Sequence, residues 1–220
     1  MHRVVLAIIT HCDELSLVCT TSLLRLQQHA ARRDDISLDV HLVPTFLDAL
    51  NTYDKGDFVF VLDGTIGVSP DFLFHAIASG KDVVAGVYPL PRVDWERVER
   101  VLRDDSATEP LNYAGNVYNL TPAPRGGGMA TYANVKDVKE LKVMCLKSSV
   151  LEKLAGPDTS YDKGHLFTHD SVYFDQLQNE YQTLARKIGL ENIMADLERP
   201  CTCAGPAQFA GCVGMRGSVR

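Results

Sequence analysis

Apolar residues gather along this chain in short blocks whose spacing switches between two periods. Val4, Val5, Leu6, Ala7, Ile8 and Ile9 form an unbroken run rich in β-branched residues, which predicts a first core strand over 3–10. Leu15, Val18, Cys19, Ser22, Leu23 and Leu26 then recur at three and four residues, predicting a helix over 15–33 that ends in charge. Residues 36–43 alternate as a second strand, and Phe46, Leu47, Ala49 and Leu50 mark a short helix. The five apolar residues from Phe58 through Leu62 are the most informative block. They are too few for a buried helix and too continuous for a half-exposed strand, so they predict a central strand covered on both faces. That strand stops at Asp63-Gly64. Ser69-Pro70 then supplies an N-cap and a first helical residue, and Gly80 closes the helix. Residues 82–87 form the next strand.

Beyond Tyr88 the pattern loosens. Pro89, Pro91 and Arg92 predict a turn into a charged helix that begins at Val93 and runs to about Asp104. A strand is expected within 110–120, a loop over 121–128, and two strands over 132–138 and 141–146 that form an antiparallel addition. Ser148 or Ser149 opens a helix to Leu154. A loop over 157–167 and a long helix from Thr168 to about Ile188, ended by Gly189, precede a last strand over 192–195. The βαβαβαβ order of the first half predicts an α/β fold, Rossmann-like, with a mixed but mostly parallel central sheet flanked by helices. A length of 220 residues suits a single domain over 1–200 followed by a Cys/Gly-rich tail over 201–220.

Composition narrows the class. Apolar content of 45% with 23% charged residues is ordinary for a soluble globular protein. A net charge of -6 argues against a general nucleic-acid or membrane surface, while leaving room for a local basic cleft around a phosphate ligand. No apolar run approaches the roughly 18 residues of a membrane span. The apolar start resembles a signal-peptide core, but Thr10-His11-Cys12-Asp13 ends it without a small-residue cleavage site, so the strand is the better reading. Six cysteines are too sparse for a disulfide scaffold, which points to a reducing, cytoplasmic setting. Cys201, Cys203 and Cys212 invite a zinc reading, yet the Cys-x-Cys spacing and the lack of histidine after His169 favour ordinary thiols in a terminal tail. Gly126-Gly127-Gly128 lacks the strand-turn-helix setting of a phosphate loop.

Asp63 carries the first candidate chemistry. A carboxylate at the carboxyl end of a buried strand lies where open α/β sheets receive ligands, although beside Gly64 it also reads as a turn cap. The wider segment Val59-Phe60-Val61-Leu62-Asp63-Gly64-Thr65-Ile66-Gly67-Val68-Ser69-Pro70, followed by Gly80-Lys81-Asp82-Val83-Val84-Ala85-Gly86-Val87-Tyr88-Pro89 and Val93-Asp94-Trp95, resembles the nucleotide-sugar-binding half of GT-A-fold glycosyltransferases. It is most similar to the small bacterial and large-DNA-virus type, best over 57–97 and more weakly over 45–51, 142–154 and at His169-Asp170.

The resemblance implies a GT-A fold, with a nucleotide-sugar half over 1–97 and an acceptor half over 98–200. It also implies transfer of a sugar from a UDP- or GDP-type nucleotide diphosphate sugar to a carbohydrate or glycoconjugate acceptor, in the host cytoplasm if the protein is viral. In that family two carboxylates of an Asp-x-Asp motif hold Mn2+ or Mg2+, which neutralises the departing pyrophosphate. Here Asp63 matches the first Asp and is the one metal candidate, whereas Thr65 stands at the second. Cys203-Ala204-Gly205 occupies the place of a late His-x-Gly ligand, Leu50 that of an Arg before Asn51, and Met144-Cys145-Leu146 that of a Gly-Thr-Gly turn. Three readings stay open: a weakly held metal, a metal-independent enzyme using Arg92, Arg125 or Lys142 against phosphate charge, or a protein that binds without turnover. By the same resemblance Asp170 is the candidate general base, with His169 as a substitute or acceptor contact. Asp94 and Trp95 are placed at the sugar, Thr10, His11 and Asp13 at the base and ribose, and Asn51 and Thr65 beside the donor. Bland alternatives exist: Thr168 and Asp170 also suit a helix N-cap and first turn, and Trp95 suits a core anchor. A nucleotidyltransferase would show a Gly-rich, basic signature after the first strand, which this sequence lacks.

Overall fold

The structure, a computed structural model, describes residues 1–10, 14–104, 115–123, 131–155 and 180–203. Along the chain, β1 (His2–Ile9) leads to α1 (Leu17–Ala30), β2 (Ile36–Val43), α2 (Phe46–Leu50), β3 (Phe58–Asp63), β4 (Ile66–Gly67), α3 (Pro70–Ala78), β5 (Val83–Gly86), β6 (Pro89–Val93) and α4 (Trp95–Arg103). Then follow β7 (Asn116–Tyr118), β8 (Leu120–Pro122), β9 (Tyr132–Val138), β10 (Val143–Lys147), α5 (Ser148–Ala155), α6 (Glu180–Ile188), β11 (Ile193–Asp196) and β12 (Thr202–Cys203).

Eight strands make one mixed sheet in the order β2-β1-β3-β10-β5-β11-β9-β8. Strands β2, β1, β3, β5, β11 and β8 run one way, while β10 and β9 run the other. The sheet is thus mostly parallel in direction and flanked by helices, as the alternating sequence predicts. Two further ladders, β4 with β12 and β6 with β7, are antiparallel. All six residues of β3 are buried, as are Val4 to Ile9 of β1, which explains why both read as continuous apolar runs. Phe60, Leu62, Phe72, Leu73, Leu26 and Leu50 are among the largest fully buried side chains, each contributing about 1.5–3 kcal/mol of burial. Burial also pushes the Cys19 thiol up to about 11 and that of Cys145 up to about 12, so neither is a thiolate near neutral pH.

The helix ends follow their predicted chemistry. Ser69 accepts from the Asp71 amide with Pro70 in the first turn, and Gly80 closes α3 with φ of 68°. The first helix is shorter than its periodicity suggests, because the Ser16 hydroxyl caps it by accepting from the Cys19 amide at 3.2 Å. Residues 89–93 are a strand rather than a turn, and Asp94 caps the helix that follows.

The larger revision concerns 132–146. The two strands there do not pair as an appended hairpin. Instead β10 is inserted between β3 and β5, antiparallel to both, and β9 pairs with β11 and β8. Val143, Met144, Cys145 and Leu146 are buried, the burial expected of a central strand. Residues 201–203, expected to begin a loose tail, are built into the fold: Cys201 is fully buried and β12 pairs with β4. The loop expected over 121–128 begins as strand, because Thr121 and Pro122 belong to β8 and pair with β9. Its remainder over 124–128, the expected loop over 157–167, the start of the helix at Thr168, and Cys212 lie outside the described residues. Among the described residues no helix is long and apolar enough to cross a membrane.

Candidate functional site

The three strands at one side of the sheet end flush. Ile9 is level with Val43 of β2 and with Asp63 of β3, so Thr10, Pro44 and Gly64 leave the sheet together at its carboxyl edge. The turn after β3 is held tightly. The Gly64 amide donates to the Ile9 carbonyl and its own carbonyl accepts from the Ser16 amide, both at 2.8 Å. A Cβ at Gly64 would lie 2.9 Å from the Ile9 carbonyl oxygen, so only glycine fits.

Asp63 is 1% exposed. A carboxylate buried to that degree must be hydrogen-bonded or paired. The Thr65 amide donates to its Oδ1 at 2.9 Å and the Thr65 hydroxyl donates to the same atom at 2.5 Å. The residue at the second motif position therefore caps the first. Facing the other oxygen, Oδ2, is the Lys142 ammonium at 3.9 Å. Lys142 arrives because β10 is antiparallel to β3: Val143 is level with Leu62, and the Asp63 amide donates to the Lys142 carbonyl at 2.9 Å. The same ammonium lies 3.6 Å from Glu140 Oε2, and the Lys142 side chain is 28% exposed. It is a cation shared by two carboxylates, on a side chain that is partly exposed.

Cys203 joins this group through the β4–β12 ladder, in which it is level with Ile66. Its thiol is raised above the usual range, first by burial, with Asp63 and Glu140 pushing the same way and Lys142 opposing. It is a neutral thiol at neutral pH. The residue expected at the place of a late histidine ligand thus lies within the electrostatic reach of Asp63.

Two residues that the sequence reading left out hold Lys142 in place. Asn119, fully buried, donates through Nδ2 to the Gly86 carbonyl at 3.0 Å and the Glu140 carbonyl at 3.2 Å, and accepts from the Tyr88 amide at 3.0 Å. Its backbone carbonyl accepts from the Lys139 and Glu140 amides. The Tyr88 hydroxyl accepts from the Lys142 amide at 3.1 Å. Burial pushes that hydroxyl well above its usual range, so it stays neutral. This clamp fixes the chain that presents Glu140 and Lys142. The only sequence signal for it is a polar residue between Tyr118 and Leu120 in an apolar stretch, which reads equally well as a turn.

The remaining candidates separate. Thr10 sits at the edge beside the Asp63 turn, its hydroxyl donating to the Val43 carbonyl at 3.4 Å. Asn51 is the C-cap of α2, with its amide donating to the Leu47 carbonyl. Asp94 accepts from the Arg97 amide at 2.9 Å as the cap of α4. Trp95 is 72% exposed, so it is not a core anchor. Arg92 is exposed on β6. His11, Asp13, Arg125, His169 and Asp170 lie outside the described residues. Tertiary structure therefore gathers Asp63, Thr65, Glu140, Lys142 and Cys203, with Thr10 beside them. Among the described residues no three His, Cys, Asp or Glu side chains are grouped to hold a metal. The chain has the α/β architecture with a mixed, mostly parallel sheet, and in comparisons with known proteins no family model and no curated protein matches it.

Proposed function

We propose that this is a glycosyltransferase-like protein whose carboxyl sheet edge binds a UDP- or GDP-type nucleotide diphosphate sugar and passes the sugar to a carbohydrate or glycoconjugate acceptor. The observation that carries the reading is the Lys142 ammonium, held between Asp63 and Glu140 at the end of the central strand on a side chain that is partly exposed. In the transfer, the acceptor oxygen bonds to the anomeric carbon as the bond from that carbon to the pyrophosphate oxygen breaks. The acceptor proton passes to a base, for which Asp170 and His169 are the candidates. The leaving group gathers negative charge, and an ammonium within contact distance offsets it.

The family's Mn2+ or Mg2+ fits this donor set poorly. The described groups are the carboxylates of Asp63 and Glu140, a hydroxyl already bonded to Asp63, the neutral Cys203 thiol, and an ammonium that lies 3.9 Å from one carboxylate and 3.6 Å from the other. Divalent ions of this kind take about six oxygen ligands, and a neighbouring positive charge repels them. In this reading Lys142 takes the role of the cation, and Asp63 and Glu140 hold it in place. A second reading, binding without turnover, is favoured by Thr65, which caps Asp63 where a second acid is expected.

Thermal shift and calorimetry with UDP, GDP and their sugars, with and without Mn2+, test both. Ligand at 100 times its dissociation constant adds about 2.7 kcal/mol of stability. A nucleotide-specific shift that needs no metal, together with release of nucleoside diphosphate, supports the enzyme. Binding without release selects the second reading, and no shift at millimolar ligand overturns both.

A further inference from the structure

The two ends of the eight-stranded sheet are finished differently. At one end β8 is three residues long, includes Pro122, and slips register against β9 between Thr121 and Pro122. A short, bulged, proline-bearing edge is a poor template for another strand. At the other end β2 has eight residues in unbroken register with β1, with no proline or lysine among them. The direction of its amides follows from two bonds at its ends. The His2 amide donates to the Asp35 carbonyl and the Thr10 amide to the Val43 carbonyl, so the odd-numbered residues face β1. The N–H and C=O groups of Leu38, Val40 and Leu42 consequently point away from the sheet. Leu42 is 61% exposed, while Leu38 and Val40 on the same face are half-buried. Asp39 and His41, half-buried, line the opposite face, with His41 Nε2 3.1 Å from Asp39 Oδ2 and the Arg3 guanidinium 3.7 Å from the same atom.

We propose that β2 is a homodimerisation edge: β2 of a second copy of this chain adds antiparallel across a two-fold axis at Val40 and makes one sheet through both protomers. The sequence of β2 is self-complementary in this register. Leu38 faces Leu42 of the copy, Val40 faces its own counterpart, and Asp39 faces His41, so each half of the interface repeats the other. The three outward-facing residues exchange amide hydrogen bonds with their opposite numbers. Charge selects this register over its neighbours. Centring the axis on Asp39 sets two carboxylates directly opposite, and centring it on His41 sets Asp39 against Val43. Nothing in this inference depends on the sugar-transfer reading.

Sedimentation velocity on the full chain across micromolar concentrations tests it. The wild type is expected to pass from monomer to dimer as concentration rises. Leu42→Lys puts an ammonium on each edge and should weaken dimerisation at least about tenfold. Val40→Pro removes the outward N–H on the axis and should do the same, and Leu42→Lys, at an exposed position, decides alone if the proline variant does not fold. His41→Asp should weaken the dimer by opposing carboxylates, and the swap Asp39→His with His41→Asp should restore it. A wild type that stays monomeric at every concentration overturns the proposal, as does a dimer indifferent to Leu42→Lys.

Discussion

Asp63 and Asp196 occupy equivalent positions and differ in what surrounds them. Each is the last residue of a strand, Asp63 on β3 and Asp196 on β11, and they are 1% and 0% exposed. Asp196 is closed on itself. Its Oδ1 accepts from the Glu198 and Arg199 amides at 3.0 and 3.1 Å, and the Arg199 guanidinium lies 3.2 Å from Oδ2 with only 16% of its side chain exposed. At Asp63, Thr65 donates to one oxygen, while the Lys142 ammonium is farther away, shared with Glu140, and carried on a side chain that is 28% exposed. Position at a sheet edge nominates a carboxylate for chemistry, but its partners decide whether it is structural. A guanidinium locked at hydrogen-bond distance completes a turn. An ammonium at 3.9 Å, on a partly exposed side chain, is beyond hydrogen-bond distance of that carboxylate, which is what the proposed role of Lys142 rests on.

The comparison is open to direct attack. Asp196→Ala should cause the largest loss of stability, about 3 kcal/mol by urea unfolding, because it takes the acceptor from two amides and leaves a mostly covered guanidinium with only Glu198 at 3.7 Å. Asp63→Ala should cost less, about 1–3 kcal/mol, while reducing nucleotide-sugar affinity at least about tenfold in a protein that still folds. Equal binding by folded Asp63→Ala would remove that residue from the site. Lys142→Ala should weaken nucleoside diphosphate binding by about 1.5–3 kcal/mol and flatten its salt dependence with little change in melting temperature. If affinity and salt slope both hold, Lys142 is not the cation. The smallest effects belong to Thr65. Thr65→Val should lower stability by about 1 kcal/mol through the lost hydroxyl bond, whereas Thr65→Asp should introduce manganese-dependent binding by supplying a second carboxylate. Titration calorimetry with and without manganese reads that gain, and its absence would mean the turn geometry cannot present both acids to one ion.

Much of the fold is legible in the residues alone. The runs at 4–9 and 58–62 announce buried strands because a strand covered on both faces has no solvent side to alternate with. Ser69-Pro70 and Gly80 mark the ends of α3 for local reasons that need no knowledge of the rest of the chain. Of the site, Asp63 is readable as the stop to its strand. Glu140 and Asn119 are not, since each is an ordinary polar residue until β10 and β8 bring it to the edge. Trp95 shows the reverse error: an aromatic at the start of an amphipathic helix suggests a core, and its exposure of 72% comes from where α4 is placed.

What the sequence determined by itself is local: strand and helix periods, caps, the carboxylate that ends the central strand, and the self-complementary pattern of β2. What only the tertiary structure decided is long-range. The insertion of β10 between β3 and β5 carries Lys142 across 79 positions of chain to Asp63, and the β4–β12 ladder brings Cys203 back to the same edge. Periodicity records which face of an element is buried. It does not record which neighbour covers that face, because an apolar strand fits against many apolar partners and the choice is made by the packing of the whole sheet.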